Sequence, residues 1–250
     1  MLEQFEIITK DGFVVKGDIE GKANNRHVIV CSHGFGVERT DRGLFSSIGD
    51  ALKDTYMIVR FDYNFIDTLA NEITVYALSH QAQSLKAVLE YIRNTFVPER
   101  ITIIAHSMGC IVASRTHDFE INSAMFLAPP PEMRYQSFVE RFSVRTGSVL
   151  NDEGISRINR SDGSVTLIQP QFLKELQRIE PAALYGDYAK SVPVTIVRAT
   201  NDEVLGNVSY EPLFSTQGIR IVELDADHNF SEAARQPLIE VIYESLNMSN

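Results

Sequence analysis

The chain has no tryptophan, only two cysteines among 250 residues, and fewer bases than acids, 23 Lys and Arg against 33 Asp and Glu. Each shortage closes off a class of function. Cys31 and Cys110 supply neither a disulfide framework nor a metal-ligand spacing, and the apolar residues around each point to buried thiols. A formal charge of -10 and a pI near 5.1 argue against nucleic acid or an anionic membrane surface as partner, because either would call for basic clusters. No apolar run approaches the ~18 residues of a membrane span. The start, Met-Leu-Glu-Gln-Phe-Glu-Ile-Ile, has no basic segment leading into an apolar one. The expectation is a cytoplasmic protein without a membrane span, its oligomeric state open.

What is present is 44% hydrophobic residues, enough for the core of one large α/β domain. Residues 3–9 and 13–19 are short, partly alternating runs split by Asp11-Gly12, which predicts an antiparallel hairpin at a sheet edge. Val28-Ile-Val-Cys31 is continuously apolar, as a strand covered on both faces would be. Leu44 to Leu52 has helical spacing and Tyr56 to Phe61 reads as the next strand. Leu78, Leu85, Val88, Leu89 and Ile92 predict one long amphipathic helix over residues 72–96. Residues 122–127, 192–198 and 219–224 are further strands, and residues 237–246 a closing helix. Between the Ala128-Pro-Pro-Pro131 run and Tyr188 the alternation breaks down. The segment is aromatic-rich, with a hairpin expected at Ser161-Asp-Gly-Ser164 and a helix near 171–178. The predicted organisation is a core of 1–131 and 189–250 with 132–188 inserted as a cap over the strand ends.

Ile101-Thr-Ile-Ile-Ala-His-Ser-Met-Gly109 carries the chemistry. Its β-branched run reads as a buried strand, and helical spacing begins after Ser107. A serine on so sharp a turn is held in a strained conformation with its Oγ exposed, so the residues two before and two after it must be small. Ala105 and Gly109 are small. A helix-capping serine is the alternative.

Ala105-His-Ser-Met-Gly109 resembles the nucleophile elbow of the α/β-hydrolase superfamily, with Ala105 in place of the first glycine of G-x-S-x-G. The resemblance implies a mostly parallel central sheet with helices on both faces. It also implies an oxyanion hole built from two amides. One is Phe35, in the Ser32-His-Gly-Phe-Gly36 loop after a strand, and the other is Met108, at the start of the elbow helix. A phosphate-binding reading of Gly34-Phe-Gly-Val-Glu-Arg39 lacks the G-K-[ST] ending.

Acyl transfer by serine needs a base for the hydroxyl proton and a carboxylate to orient that base. The superfamily supplies them in the order Ser, acid, His, each after a sheet strand. Ser107, Asp202 and His228 follow that order here. Glu203, Asp225 and Asp227 are alternative acids. His106 is expected to pack beside the nucleophile and His33 to order its loop by a hydrogen bond. Asp225-Ala-Asp-His228 alone is too little for a metal site, so neither metal nor cofactor is expected.

The Phe61-Asp-Tyr-Asn64 turn, Thr74-Val75 as the start of the long helix, and the Asp162-Gly-Ser164 hairpin are similar to the cinnamoyl and feruloyl esterase branch. Phe65-Ile-Asp-Thr68 departs from that branch, which has a Gly-x-Gly-x-Ser loop here. The resemblance implies a serine carboxylester hydrolase for a small or medium ester, aromatic acyl groups included. Thioesterases, amidases or aminopeptidase-like enzymes, and C–C bond hydrolases use the same triad. A non-catalytic small-ligand binder is the reading of a different class.

Overall fold

Strands that are apolar along their whole length must be covered on both faces, and the helices of this chain are distributed to do so. A computed structural model describes residues 2–22 and 24–248. The elements run β1 (Leu2–Ile8), β2 (Val14–Glu20), β3 (His27–Ser32), α1 (Leu44–Leu52), β4 (Met57–Asp62), β5 (Phe65–Asp67), β6 (Glu72–Val75), α2 (Leu78–Phe96), β7 (Arg100–His106), α3 (Met108–Ala113) and β8 (Ser123–Leu127). Next come α4 (Tyr135–Ser143), β9 (Ser156–Asn159), β10 (Val165–Ile168), α5 (Pro170–Leu176) and α6 (Pro181–Ala189). The chain closes with β11 (Val194–Ala199), α7 (Glu211–Phe214), β12 (Ile219–Leu224) and α8 (Arg235–Met248).

Eight strands form the main sheet in the order β1-β2-β4-β3-β7-β8-β11-β12. The hairpin β1–β2 is antiparallel, and every pairing from β4 across to β12 is parallel. Leu44, Phe45, Ile48 and Leu52 of α1 pack with Leu238, Ile242 and Leu246 of α8 over one face. α2 and α3 share the opposite core with Tyr185 and Tyr188 of α6. From β3 the chain proceeds to β4 on one side, and β7 later joins on the other. Loops leaving the carboxyl ends of β3 and β7 therefore diverge and open a crevice at this switch point. The loop holding Phe35 and the turn holding Ser107 stand on either side of it.

A second sheet, in the order β5-β6-β10-β9, joins residues 65–75 to the segment between β8 and β11. It corrects the expectation of one helix over residues 72–96, since α2 begins at Leu78 and Glu72–Val75 is a strand. Ile73, Thr74 and Val75 are β-branched, and parallel pairing with β10 sets Val165 opposite Glu72 and Ile168 opposite Val75. The loop that departs from the feruloyl esterase pattern has become the short hairpin β5–β6. The turn expected at residues 161–164 does connect the antiparallel strands β9 and β10.

Candidate active site

Ser107 takes φ 52° and ψ −122°, a conformation that non-glycine residues adopt only under constraint. The constraint is visible on both sides of the turn. Its amide donates to the Leu127 carbonyl at 2.9 Å, its carbonyl accepts from Cys110 N at 3.0 Å, and α3 starts at the next residue. Gly109 lets α3 approach β3, for a Cβ there would run into the Ser32 and His33 carbonyls. Cys31 and Cys110 are both free and buried.

The turn brings three distant side chains into one line. Ser107 Oγ lies 2.9 Å from His228 Nε2, and His228 Nδ1 lies 2.7 Å from Asp202 Oδ2. Asp202 also has the ordinary duties of a turn aspartate, its Oδ1 accepting from the Val204 and Leu205 amides at 2.9 and 2.7 Å. The other candidate acids are turned elsewhere. Glu203 accepts from the His228 amide at 3.2 Å, Asp225 from Asn201, and Asp227 from the Ser231 amide at 2.7 Å.

Hydrogen-bond partners and burial together set the protonation of two histidines. At His228, Nδ1 faces a carboxylate and must donate, while Nε2 faces a hydroxyl and can accept, so a neutral ring satisfies both contacts. Burial pushes its pKa below the usual 6.5, and the neighbouring His106 acts in the same direction against the bond that the ring donates to Asp202. Burial alone would raise the Asp202 carboxyl, but the hydrogen bonds it accepts from His228 and from the Leu205 and Val204 amides hold it below the ordinary value. His106 is the opposite case. Nδ1 lies 2.8 Å from Asp41 Oδ2 and Nε2 lies 2.9 Å from the His228 carbonyl, so both nitrogens must donate. Burial opposes that charge, and Asp41 overrides it to raise the His106 pKa. His33 stays neutral, burial lowering its pKa to about 4, with Nδ1 bonded to the Gly34 carbonyl at 3.0 Å.

Phe35 and Met108 line one cavity with Ser107, and among the described residues neither amide has a protein acceptor. At six residues α3 is too short for much of a macrodipole, so the amide of Met108 matters more than the helix behind it. The loop that presents Phe35 is clamped from several directions. Asp41 Oδ2 accepts the Gly34 amide at 2.9 Å, the same oxygen that meets His106. Tyr63 donates to the His33 carbonyl, and Asn64 Nδ2 donates to the Val37 carbonyl at 3.3 Å. Asp62 accepts from the Arg39 amide at 2.6 Å and pairs with the Arg39 guanidinium at 3.1 Å. Burial lifts the Asp62 pKa to about 6, which Arg39 only partly offsets. The Asp-Tyr-Asn turn after β4 thus acts through the loop after β3.

Sequence reasoning passed over Asp41. It lies with Arg42 and Gly43 in a run of three left-handed residues, φ 46°, 54° and 85°, and a polar Thr-Asp-Arg-Gly stretch signals only a loop. No spacing could have linked it to His106.

Two cavities meet at Ser107. The larger, about 320 Å³, is walled by Phe35, Met108, Phe138, Phe142, Leu205 and Val208. The smaller, about 150 Å³, is walled by His228, Asn229, Arg42, Arg145 and Arg160. Phe35, Phe138, Phe142 and Phe172 form an aromatic cluster with centroid separations of 4.8–6.3 Å, which ties α4 and α5 to the loop after β3. Among the described residues no three His, Cys, Asp or Glu side chains gather as metal ligands, and no helix is long and apolar enough to cross a membrane.

Solved structures match this architecture over nearly its whole length. Est1E from Butyrivibrio proteoclasticus is 19% identical, with a TM-score of 0.69 and 98% of each chain covered. The esterase domain from a Rhodothermus marinus protein is 18% identical, TM-score 0.67, covering 97% of this chain and 96% of that one. The chain has an α/β-hydrolase fold. The Pyrococcus furiosus esterase Pf2001 shares this fold at 16% identity and TM-score 0.68, with 99% and 91% coverage. A family described as an alpha/beta hydrolase of unknown function (DUF900) matches residues 15–123. That stretch contains the loop after β3 and the elbow. A search of curated proteins found no significant match.

Proposed function

We propose that this α/β hydrolase is a serine carboxylester hydrolase, with Ser107 as nucleophile, His228 as general base and Asp202 orienting it. The observation that carries the reading is the hydrogen-bonded line from Ser107 Oγ through the neutral His228 ring to Asp202. In the first half-reaction His228 Nε2 takes the hydroxyl proton as Ser107 Oγ bonds to the acyl carbon. The Phe35 and Met108 amides hold the oxyanion, a donor of this kind being worth about 3–4 kcal/mol. The bond to the leaving oxygen then breaks as His228 returns the proton to it, freeing the alcohol. Water, deprotonated by His228, repeats the sequence on the acyl-enzyme and frees the acid.

The larger cavity favours an acyl group of modest size, and its three phenylalanines favour a flat aromatic one. In support, a structurally similar enzyme, Est1E, has been solved with ferulic acid bound, at 18% identity and TM-score 0.70. Residues 132–188 act in this reading as a cap that walls the acyl cavity through α4.

Intact mass after fluorophosphonate treatment tests the proposal. One adduct on the parent protein and none on Ser107→Ala is the expected result. An unmodified but folded parent protein overturns it.

A further inference from the structure

The smaller cavity is basic, in a chain whose acids outnumber its bases. Elsewhere the arginines are mostly neutralised. Arg39, Arg60, Arg115, Arg157 and Arg198 each have a carboxylate within 3.5 Å. Four arginines, Arg42, Arg141, Arg145 and Arg160, wall the same 150 Å³ space, and among the described residues none has a carboxylate within ion-pairing distance; Arg141, which also lines the larger cavity, donates to the Val204 carbonyl, which leaves Arg42, Arg145 and Arg160. The one carboxylate lining that space, Asp41, is buried and committed to His106 and the Gly34 amide.

Arg160 is built into place. Its Nε donates to Thr166 Oγ1 at 2.8 Å and its Nη2 to the Gly36 carbonyl at 3.3 Å, and it lies over the Phe35 ring at 5.6 Å. Nη1 has no protein acceptor among the described residues. Arg145 lies over the Phe142 ring at 5.0 Å, and Arg42 makes one long contact, 3.5 Å, to Asn229. Burial together with the charges of Arg42 and Arg145 pulls the Arg160 pKa down to about 10, with Asp162 opposing weakly. Three guanidinium groups kept together without a counter-charge are relieved when an anion enters.

Which part of a substrate meets them follows from the proton transfer. His228 must hand its proton to the leaving oxygen, so the leaving group departs on the side of Ser107 that His228 occupies. The arginine cavity contains His228 and Asn229, whereas the larger cavity contains Met108, Leu205 and Val208 and lacks His228. We propose that Arg42, Arg145 and Arg160 form a leaving-group subsite for an anion, so that the preferred substrates are esters of alcohols carrying a phosphate or carboxylate close to the scissile oxygen. This rests on the serine hydrolase reading, and it narrows the alcohol where the aromatic cavity narrows the acid.

The test compares kcat/KM for three butyrate esters, those of 2-hydroxyethyl phosphate, 3-hydroxypropanoate and 1-propanol. Hydrogen bonds to charged groups lead to an expected preference of about 10- to 100-fold for one or both anionic esters over the propyl ester. Their relative rates tell phosphate from carboxylate. Arg145→Gln and Arg160→Gln should each cut the anionic-to-neutral ratio several-fold, and Arg157→Gln, on the outer surface, should leave it alone. Equal rates for all three esters, on protein that still takes up one fluorophosphonate, overturn the anion subsite and leave the hydrolase standing. Should Ser107 fail to label, calorimetric titration with inorganic pyrophosphate still reads the arginines. Binding weakened at least about tenfold in Arg145→Gln/Arg160→Gln supports the site, and no binding to the parent overturns it.

Discussion

Asp41 holds two things at once, and replacing it should separate stability from chemistry. One oxygen, Oδ2, accepts both the Gly34 amide and His106 Nδ1, while His106 Nε2 reaches the His228 carbonyl. The carboxylate thereby ties the loop carrying Phe35 to the loop carrying His228. In Asp41→Asn the oxygen can be kept but the charge is lost, so His106 gives up a proton and one of its two nitrogens turns a lone pair toward an acceptor. Losing one charge-assisted bond costs about 1.5–3 kcal/mol. Asp41→Ala also strands the Gly34 amide in a buried place, and the total approaches the roughly 3–5 kcal/mol of a broken buried pair. For a domain of this size the alanine variant should melt about 6–20 °C lower, with the asparagine variant between it and the parent. The stabilisation has a pH window. The raised His106 pKa supplies stability in full below 6.5, lost as pH rises through the folded value; the lowered Asp41 pKa supplies it above 3.8, lost as pH falls through its own folded value. The parent should therefore exceed Asp41→Asn most between those limits and converge with it in alkali. Calorimetry across pH measures this directly. A melting temperature for Asp41→Ala within about 2 °C of the parent, or a parent-minus-Asn difference independent of pH, would refute the bridging role.

Three further outcomes follow from the same site. In the proposed mechanism the neutral form of His228 is the active one and burial favours it, so the acid limb of kcat/KM should have its midpoint below 6.5; a midpoint above 7 contradicts the environment described for that ring. Asp202→Asn should fold normally and lose about 10⁴ in kcat through the wrong His228 tautomer, whereas Glu203→Gln should stay within a few-fold of the parent. Gly109→Ala should cost about 2–3 kcal/mol in urea denaturation, since its methyl meets two fixed carbonyls, and an unchanged midpoint would show that α3 is free to move away.

The main sheet was legible in the sequence because its strands are short, apolar and β-branched, and period and composition alone separate them from the helices. α1 and β12 fall on the expected residues, Leu44–Leu52 and Ile219–Leu224. The three side chains now in line at Ser107 were legible for a different reason, since each stands in a loop immediately after a sheet strand. What failed was long-range pairing. Glu72–Val75 is a strand held between β5, just before it, and β10, some ninety positions later, and a window centred on residues 72–96 sees just the helix that follows. Helices α4 and α6 were lost within the aromatic residues of the segment, whose side chains serve the cavity as well as their own packing.

That pairing also bears on how the two cavities are joined to the turn at Ser107. The small sheet is composite, with β5 and β6 from the chain before the elbow and β9 and β10 from long after it. β10 carries Thr166, which steadies Arg160, and Arg160 in turn bonds Gly36 next to the Phe35 amide. Residues 132–188 thus touch the loop after β3 through Arg160, besides the pairing of β10 with β6 and the packing of α6 on the main sheet. Sequence change in α4, β9 or the residues joining them can alter both cavities while the Ser107 backbone stays held by Leu127, Cys110 and Gly109. In the proposed mechanism, two loops with separate supports, one for Ser107 as nucleophile and one for the Phe35 amide opposite, let specificity change on one side of the crevice while the geometry of attack is kept on the other.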